Sequence, residues 1–332
     1  MLRPLPSPMS STLSTNSTFG SSSSRTPLSA WDLPSLLTPL HAYKQSTVKS
    51  PKVRPHYLSV CGFVYRNRYS IASQIQRRFA HVIKSDRTAR RHLAELQALG
   101  WLDLTPTRGT SPLFPKVYHV SGRGGRKLRE ALTAKGKPGY IIRVDRRRGD
   151  GYSADHVLHE VLITEFMLMV WESAQRDGEL ELLRVERRSI PSHPAFKVAL
   201  RSKATRLEPD AMFLHREGDR GMMCNFVEID TGSMTKQQLK AKFYRYETWA
   251  QSNAGQSFLR DLYQQHGANE PRAAFRILIV VADASRTTSS GRVGQIRDAA
   301  TGFSTICRRL WVTDASTLHE GSQLLDRSTW LM

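Results

Sequence analysis

Cysteine is scarce. Cys61, Cys224 and Cys307 are the three in 332 residues, too few for a disulfide framework and too widely spaced for a metal knuckle. They predict reduced thiols in a cytosolic protein. Long apolar runs are lacking too: nothing approaches the roughly 18 consecutive apolar residues of a membrane-spanning helix, and the N-terminus has no continuous apolar segment of the kind a secretory signal needs. Neither a membrane partner nor export is expected. No repeat at a fixed period is visible. Acid is scarce in one region only. Residues 61–150 hold six Asp/Glu against 20 Lys/Arg, while residues 151–332 are nearly balanced, although the whole chain carries +20. A compact basic segment is the electrostatic footprint of a phosphate-rich partner, because each neutralised phosphate releases counterions. The segment has no Trp/Phe/Leu-rich face to lay on a bilayer.

Residues 1–55 are rich in Ser, Thr and Pro ("SPMSSTLSTNSTFGSSSSRTPLS"). Such a composition buries too little apolar area to offset the entropy of ordering, which predicts a flexible tail. Within it, "WDLPSLLTPLHAYKQ" alone has hydrophobic weight and is read as a short docking helix. From residue 60 to 140 the texture changes. In "YSIASQIQRRFAHV", Ser70 reads as an N-cap with Ile71, Ile75 and Phe79 on one apolar face. In "KSDRTARRHLAELQALGW", Ser85 or Asp86 caps a second helix whose stripe is Ala89, Leu93 and Leu96, and Gly100 ends it. "WLDLTPTRGTSPLFPKVYHVS" reads as two strands around a Pro/Gly-rich excursion, and "GGRKLREALTAKG" as a further helix. Helix, turn, helix, two-stranded ribbon, helix is the order of a winged helix-turn-helix domain. With the apolar stripe inward, Arg87, Thr88, Arg90 and Arg91 fall on the exposed side of the half that would enter a major groove. Arg108 and Lys116 flank the wing, where phosphates would be touched. Each arginine alone reads equally well as solvated decoration; the cluster favours DNA. Residues 141–152, containing "RVDRRRG", read as a basic linker.

The remainder, 153–332, predicts an α/β sandwich around a mixed sheet in the order αβββαβαβ. "ADHVLHEVLITEFMLMVWESAQ" is a helix with Val157, Leu162, Phe166, Met167 and Val170 apolar. "ELELLRVERR", "PDAMFLH" and "MMCNFVEID" are strands, followed by a helix near Thr235–Gln251. "AAFRILIVVAD", "GQIRDAATGF" and "RRLWVTD" supply strand, helix and strand. Asp210 then begins one strand and Glu228 lies near the end of the next. Two carboxylates from neighbouring strands can share a magnesium ion, an oxygen-seeking cation that keeps several waters and activates phosphodiester hydrolysis. A lysine from the following helix would offset charge on the phosphate. Pro-Asp is also common turn chemistry. Glu228 and Asp230 could alternatively face solvent, although Glu-x-Asp puts both on one side of the pleat. His156 and His159 have no third partner for zinc and are read as structural or DNA-facing. Tyr244, Tyr246 and Trp249 are expected to pack their helix on the sheet.

Pro209-Asp210 with Glu228-Ile229-Asp230 in this order of elements resembles the PD-(D/E)XK nuclease superfamily. More specifically, the chain over roughly residues 60–315 resembles the replication-relaxation family of plasmids and other mobile elements. The match rests on "HE" at His159-Glu160, "EPDAMF", "FVEIDTG", "KFYRY" at Lys242–Tyr246 and "ILIVVADASR". The resemblance implies an α+β protein with an N-terminal DNA-binding domain and a nuclease-like C-terminal one. It implies a role in plasmid replication or DNA relaxation, and residence with the cytoplasmic nucleoid. It further implies catalytic residues Glu160, Asp210, Glu228 and Lys242, metal ligands Asp210, Glu228 and Asp230, and Mg2+ with Mn2+ as substitute. No organic cofactor is implied. Double-stranded DNA is the implied partner, with other replication or mobilisation proteins beside it. One departure stands out: where the superfamily places lysine two residues after the strand acid, this chain has Asp230, so the helix Lys242, ahead of Lys240 or Lys236, takes the lysine's part. Two readings stay open. One is a metal-dependent nicking or cleaving protein; the other is a DNA-binding protein or transcription regulator that uses a degenerate nuclease fold without catalysis.

Overall fold

Serine caps and following glycines bound two of the four N-terminal helices among the described residues. The structure, a computed structural model, describes residues 53–105, 107–108, 115–136, 152–176, 180–187, 193–200, 203–218, 221–268, 274–282 and 289–319. Helix α1 spans Tyr57–Asn67, α2 Ala72–Arg78 and α3 Asp86–Ala98. Ser85 caps α3, its hydroxyl accepting from the Thr88 amide at 3.2 Å, which satisfies one of the orphan N–H groups of the first turn. Gly100, at φ +68, turns the chain out of the helix. Ala89, Leu93 and Leu96 are fully buried with Ile75, Val60 and Val64, and truncating either leucine to alanine should cost ~2–5 kcal/mol. Ser70 does not cap α2. Its backbone is bridged to Tyr118, and the cap position falls to Ile71, whose amide donates to the Gln74 side chain at 3.2 Å.

After α3, β1 (Leu102–Leu104) and β3 (Tyr118–Val120) pair antiparallel, Leu102 opposite Val120. The short β2 (Thr107–Arg108) lies between them in sequence but pairs in parallel with β4 (Tyr152–Ser153). Helix α4 (Gly122–Ala134) is capped by Ser121. Its second glycine is sterically required: a Cβ at Gly124 would stand 2.0 Å from the Trp101 carbonyl. The docking segment near residues 31–45, residues 1–52 of the Ser/Thr/Pro-rich tail, the excursion at 109–114 and all of the 141–152 linker except Tyr152 lie outside the described residues.

Helix α5 (Ala154–Arg176) leads into β5 (Leu180–Glu186), a single 3-10 turn (Pro194–Phe196) and the hairpin β6 (Lys197–Leu200) and β7 (Lys203–Arg206). Then follow β8 (Ala211–Glu217), β9 (Met222–Asp230), α6 (Lys236–Gln251), α7 (Asn253–Gln265), β10 (Phe275–Val281), α8 (Ser289–Ala300), α9 (Ser304–Cys307), β11 (Leu310–Asp314) and α10 (Ala315–His319). Five strands form one mixed sheet in the order β11-β10-β9-β8-β5. β9, β10 and β11 run parallel, while β8 is antiparallel to β9 and β5 to β8. Pleat alternation divides the core. Phe226, Ile277 and Ile279 meet α6, α7 and α8 on one face; Val227, Ile229, Leu278 and Val280 meet α5 on the other. The architecture is α+β.

Several elements depart from expectation, including the helix Tyr57–Asn67 and the β2–β4 pair. The proline-containing loop after β5 holds the β6–β7 ribbon, a sheet of its own. Helix α7 follows α6 after a break at Ser252, whose hydroxyl accepts from the Gly255 amide at 3.0 Å and starts the new helix. On α6, Leu239, Phe243, Tyr246 and Trp249 are buried, whereas Tyr244 points outward at 44% exposure. The 3.6-residue period puts Tyr244 on the opposite side of the helix from Tyr246.

The basic N-terminal half is seated on α5. Arg68, in the left-handed region at φ +61, sends Nη1 to Glu160 Oε1 at 2.7 Å, and Arg187 Nη2 meets Glu160 Oε2 at 2.5 Å. Arg77 bonds Glu165 and reaches Glu172 through two nitrogens. Gln74 donates to the Val161 carbonyl at 3.0 Å, and Arg78 lies over the Trp171 ring at 4.2 Å. Tyr69, Val117, Val157 and Val161 close an apolar patch between the two halves.

Candidate functional site

The β8–β9 register decides what meets at the sheet end. Ala211 stands opposite Val227, and one residue further the Asp210 amide donates to the Val227 carbonyl at 3.0 Å. Asp210 therefore sits beside Glu228 at the end of the β8–β9 pair, reached by His159 of α5, while Glu228 faces α6. Asp210 Oδ2 accepts from the Ile229 amide at 2.8 Å and stands 3.2 Å from His159 Nε2. That nitrogen also lies 3.0 Å from the Ile229 carbonyl. Glu228 is 1% exposed; its Oε2 lies 2.5 Å from Lys242 Nζ and its Oε1 accepts from the Tyr246 hydroxyl at 2.7 Å. Lys242 and Tyr246 reach the same carboxylate because residues four apart share a helix face.

The electrostatics push the two acids apart. Burial, reinforced by the neighbouring Asp210, drives the Glu228 carboxyl up to about 7 despite Lys242. Burial acts on Asp210 in the same sense, but the His159 hydrogen bond, the Lys242 charge and the Ile229 amide outweigh it and hold the carboxyl below its ordinary value. Lys242 stays charged: burial works to lower its pKa, and Glu228 and Asp210 more than reverse that. Burial likewise depresses His159, and Asp210 overcomes it, raising the imidazole above its usual value. Paired acids with divergent pKa values beside a lysine are the pattern that sites of acid–base or metal chemistry display.

Not every residue expected at this site arrives there. Both oxygens of Asp230 are gripped by Arg292 of α8, through Nε at 2.5 Å and Nη2 at 3.0 Å, so the expected sharing of one cation by Asp230, Asp210 and Glu228 is not what the geometry provides. Glu160 is buried between Arg68 and Arg187. Its two oxygens are engaged by these arginines, one from each half, rather than at Asp210. Lys236 leans toward Asp298 at 3.9 Å and Lys240 is exposed, leaving Lys242 as the lysine at the carboxylates. Among the described residues, no three His, Cys, Asp or Glu groups are placed to hold a metal ion.

Sequence reasoning missed three side chains of this neighbourhood. Tyr246 carried a signal in its i+4 spacing from Lys242. His159 carried only its place beside Glu160. Arg292 lies 62 residues from Asp230, and nothing local announced it.

On α3, Arg87, Arg90 and Arg91 are exposed and Thr88 is half-buried beside its capping serine. Arg90 touches Asp86 at 2.5 Å and Arg91 lies 3.8 Å from Glu95, exposed i,i+4 pairs of small energetic weight. Lys116 is exposed just before β3. Arg108 is in β2, and its side chain lies outside the described residues.

No curated protein and no solved structure matches the chain. A family model described as replication-relaxation matches residues 62–259, more than half of the chain and a span containing α3, Asp210, Glu228 and Lys242. On that match, the chain belongs to the replication-relaxation family.

Proposed function

We propose that this protein binds double-stranded DNA of a plasmid or other mobile element and nicks or cleaves it in a magnesium-dependent reaction. In this reading the N-terminal half acts as a winged helix whose α3 enters the major groove. The C-terminal sheet is a PD-(D/E)XK-like platform for the chemistry. The observation that carries the reading is the buried pairing of Glu228 with Lys242, on the strand next to Asp210.

The donor set suits a hard divalent ion. Two carboxylates from adjacent strands supply oxygen ligands, and a magnesium ion takes few protein ligands and retains water. Asp210 directs Oδ2 to Ile229 and His159, and each Glu228 oxygen keeps lone pairs beyond its present hydrogen bond. Asp210 and Glu228 would hold the ion, and when bound it supplies Lewis-acid activation of the phosphodiester and of an attacking water. Lys242 places a fixed positive charge where a phosphate gains negative charge. Tyr246 fixes the rotamer of Glu228, and His159 does the same for Asp210.

A second reading, DNA binding without cleavage, is favoured by the ammonium of Lys242 already neutralising Glu228 and by the engagement of Asp230 with Arg292. One experiment separates the two: purified protein with supercoiled plasmid and Mg2+ or Mn2+. Cleavage predicts nicked or linear product, lost in Asp210→Asn and in Glu228→Gln. No product from the wild type, or equal product from both variants, overturns it.

A further inference from the structure

The ribbon β6–β7 is the least expected element of the C-terminal half, and its sequence, "KVALRSKATR", holds four basic residues and no acid. This stands out in residues 151–332, which are otherwise close to neutral. Lys197 and Arg206 are both exposed and are direct partners across the antiparallel register, so two like charges share one face of a two-stranded sheet. The arrangement suits a surface that meets an anion.

The ribbon's root is firmly fixed. Phe196, fully buried, stacks on Trp249 of α6 with ring centres 5.4 Å apart, and Trp249 Nε1 donates to the Ala195 carbonyl at 2.9 Å. The Leu207 amide donates to the Phe196 carbonyl at 2.9 Å, closing the base of the hairpin. β6 packs against α6, the helix that carries Lys242 and Tyr246. From Arg206 the chain runs directly into Asp210, and four residues of extended chain span at most ~14 Å. Duplex DNA carries one charge per ~1.7 Å of axis. A duplex with a phosphate at Asp210 and Glu228 therefore has several more within reach of the ribbon.

We propose that the β6–β7 ribbon is a second DNA-contact element, gripping the phosphate backbone beside Asp210 through Lys197 and Arg206. It is distinct from the α3 surface. The inference rests on the DNA reading above and on no claim of cleavage.

The test uses the full chain, a mixed-sequence DNA duplex and no divalent ion, measuring affinity across a salt series. Lys197→Ala with Arg206→Ala should lower the magnitude of the slope of log affinity against log salt by about 1.8, at ~0.9 per phosphate contact. The charge-keeping pair Lys197→Arg with Arg206→Lys should retain the wild-type slope, which a merely structural role would not require. Wild-type slope in the alanine pair, with the wild type binding normally, overturns the ribbon and leaves the DNA reading intact. Failure of the wild type to bind duplex at all sinks both.

Discussion

Arg292 holds both carboxylate oxygens of Asp230 in a pair that is almost completely removed from water, and the same guanidinium donates to the Met234 carbonyl at 2.8 Å. One residue thereby ties α8 to the end of β9 and to the turn that leads into α6. Arg292→Ala leaves a buried charge uncompensated and should cost ~3–5 kcal/mol, read from denaturant unfolding. Arg292→Lys cannot reproduce the two-pronged geometry and should recover less than half of the loss. Wild-type stability in the alanine variant would show that the pair carries no weight.

Glu160 offers a similar test with a different message. Its carboxylate is shared by Arg68 from the N-terminal half and Arg187 from the C-terminal half. Glu160→Ala should therefore destabilise by ~3–5 kcal/mol, with Glu160→Gln in between. If Glu160 serves architecture, DNA cleavage by Glu160→Gln below its melting range should stay within a few-fold of wild type. Complete loss of cleavage in a folded Glu160→Gln protein would return the residue to the catalytic set.

Glu228 makes stability depend on pH. A carboxyl raised to about 7 in the folded protein keeps a proton that the unfolded chain releases near its ordinary value of ~4.3. The favourable contribution is complete below that ordinary value and is lost as pH rises through about 7. Relative to Glu228→Gln, the wild type should lose Tm across pH 4.5–7. Magnesium, which selects the ionised carboxylate, should recover part of that loss above pH 6. Parallel Tm curves for the two proteins across this window would show that Glu228 is ionised throughout.

The α3 arginines make a prediction about DNA alone. Arg90→Ala with Arg91→Ala should weaken duplex binding by ~1–3 kcal/mol for each base edge that is no longer read, while leaving Tm within about a degree because both side chains are exposed. Unchanged affinity would remove α3 from the interface.

Local signals in the sequence were read well where one residue decides one feature. Ser85 and Gly100 bound α3; the spacing of Ala89, Leu93 and Leu96 gave its buried face; the alternation around "NFVEID" gave β9 and put Glu228 and Asp230 on one side of the pleat. The candidate site was legible as far as Asp210, Glu228 and Lys242, since strand neighbours and one following helix suffice to bring those three together. What stayed hidden depends on distant partners. Asp230 looks like a third acid until Arg292, 62 residues on, takes it. Glu160 looks catalytic until Arg68 and Arg187 close on it. Ser70 lost its capping role to a strand bridge with Tyr118. The β6–β7 ribbon escaped notice because its four-residue strands sit between prolines and a turn, with too little alternation to register as a hairpin.

His159 and Glu160 are consecutive residues of α5 that look in different directions, one toward the Asp210 carboxylate and the other toward two arginines, one of them from the N-terminal half. A single peptide link thus joins the Asp210 carboxylate to the contact with the N-terminal half. Severing the chain between α4 and α5 to obtain two tidy fragments would strip Val157 and Val161 of their cover and leave Glu165 and Glu172 without Arg77. Tilting α5 would carry His159 along with it. The two halves share one helix with no slack between them, and their contacts are best interrogated one side chain at a time.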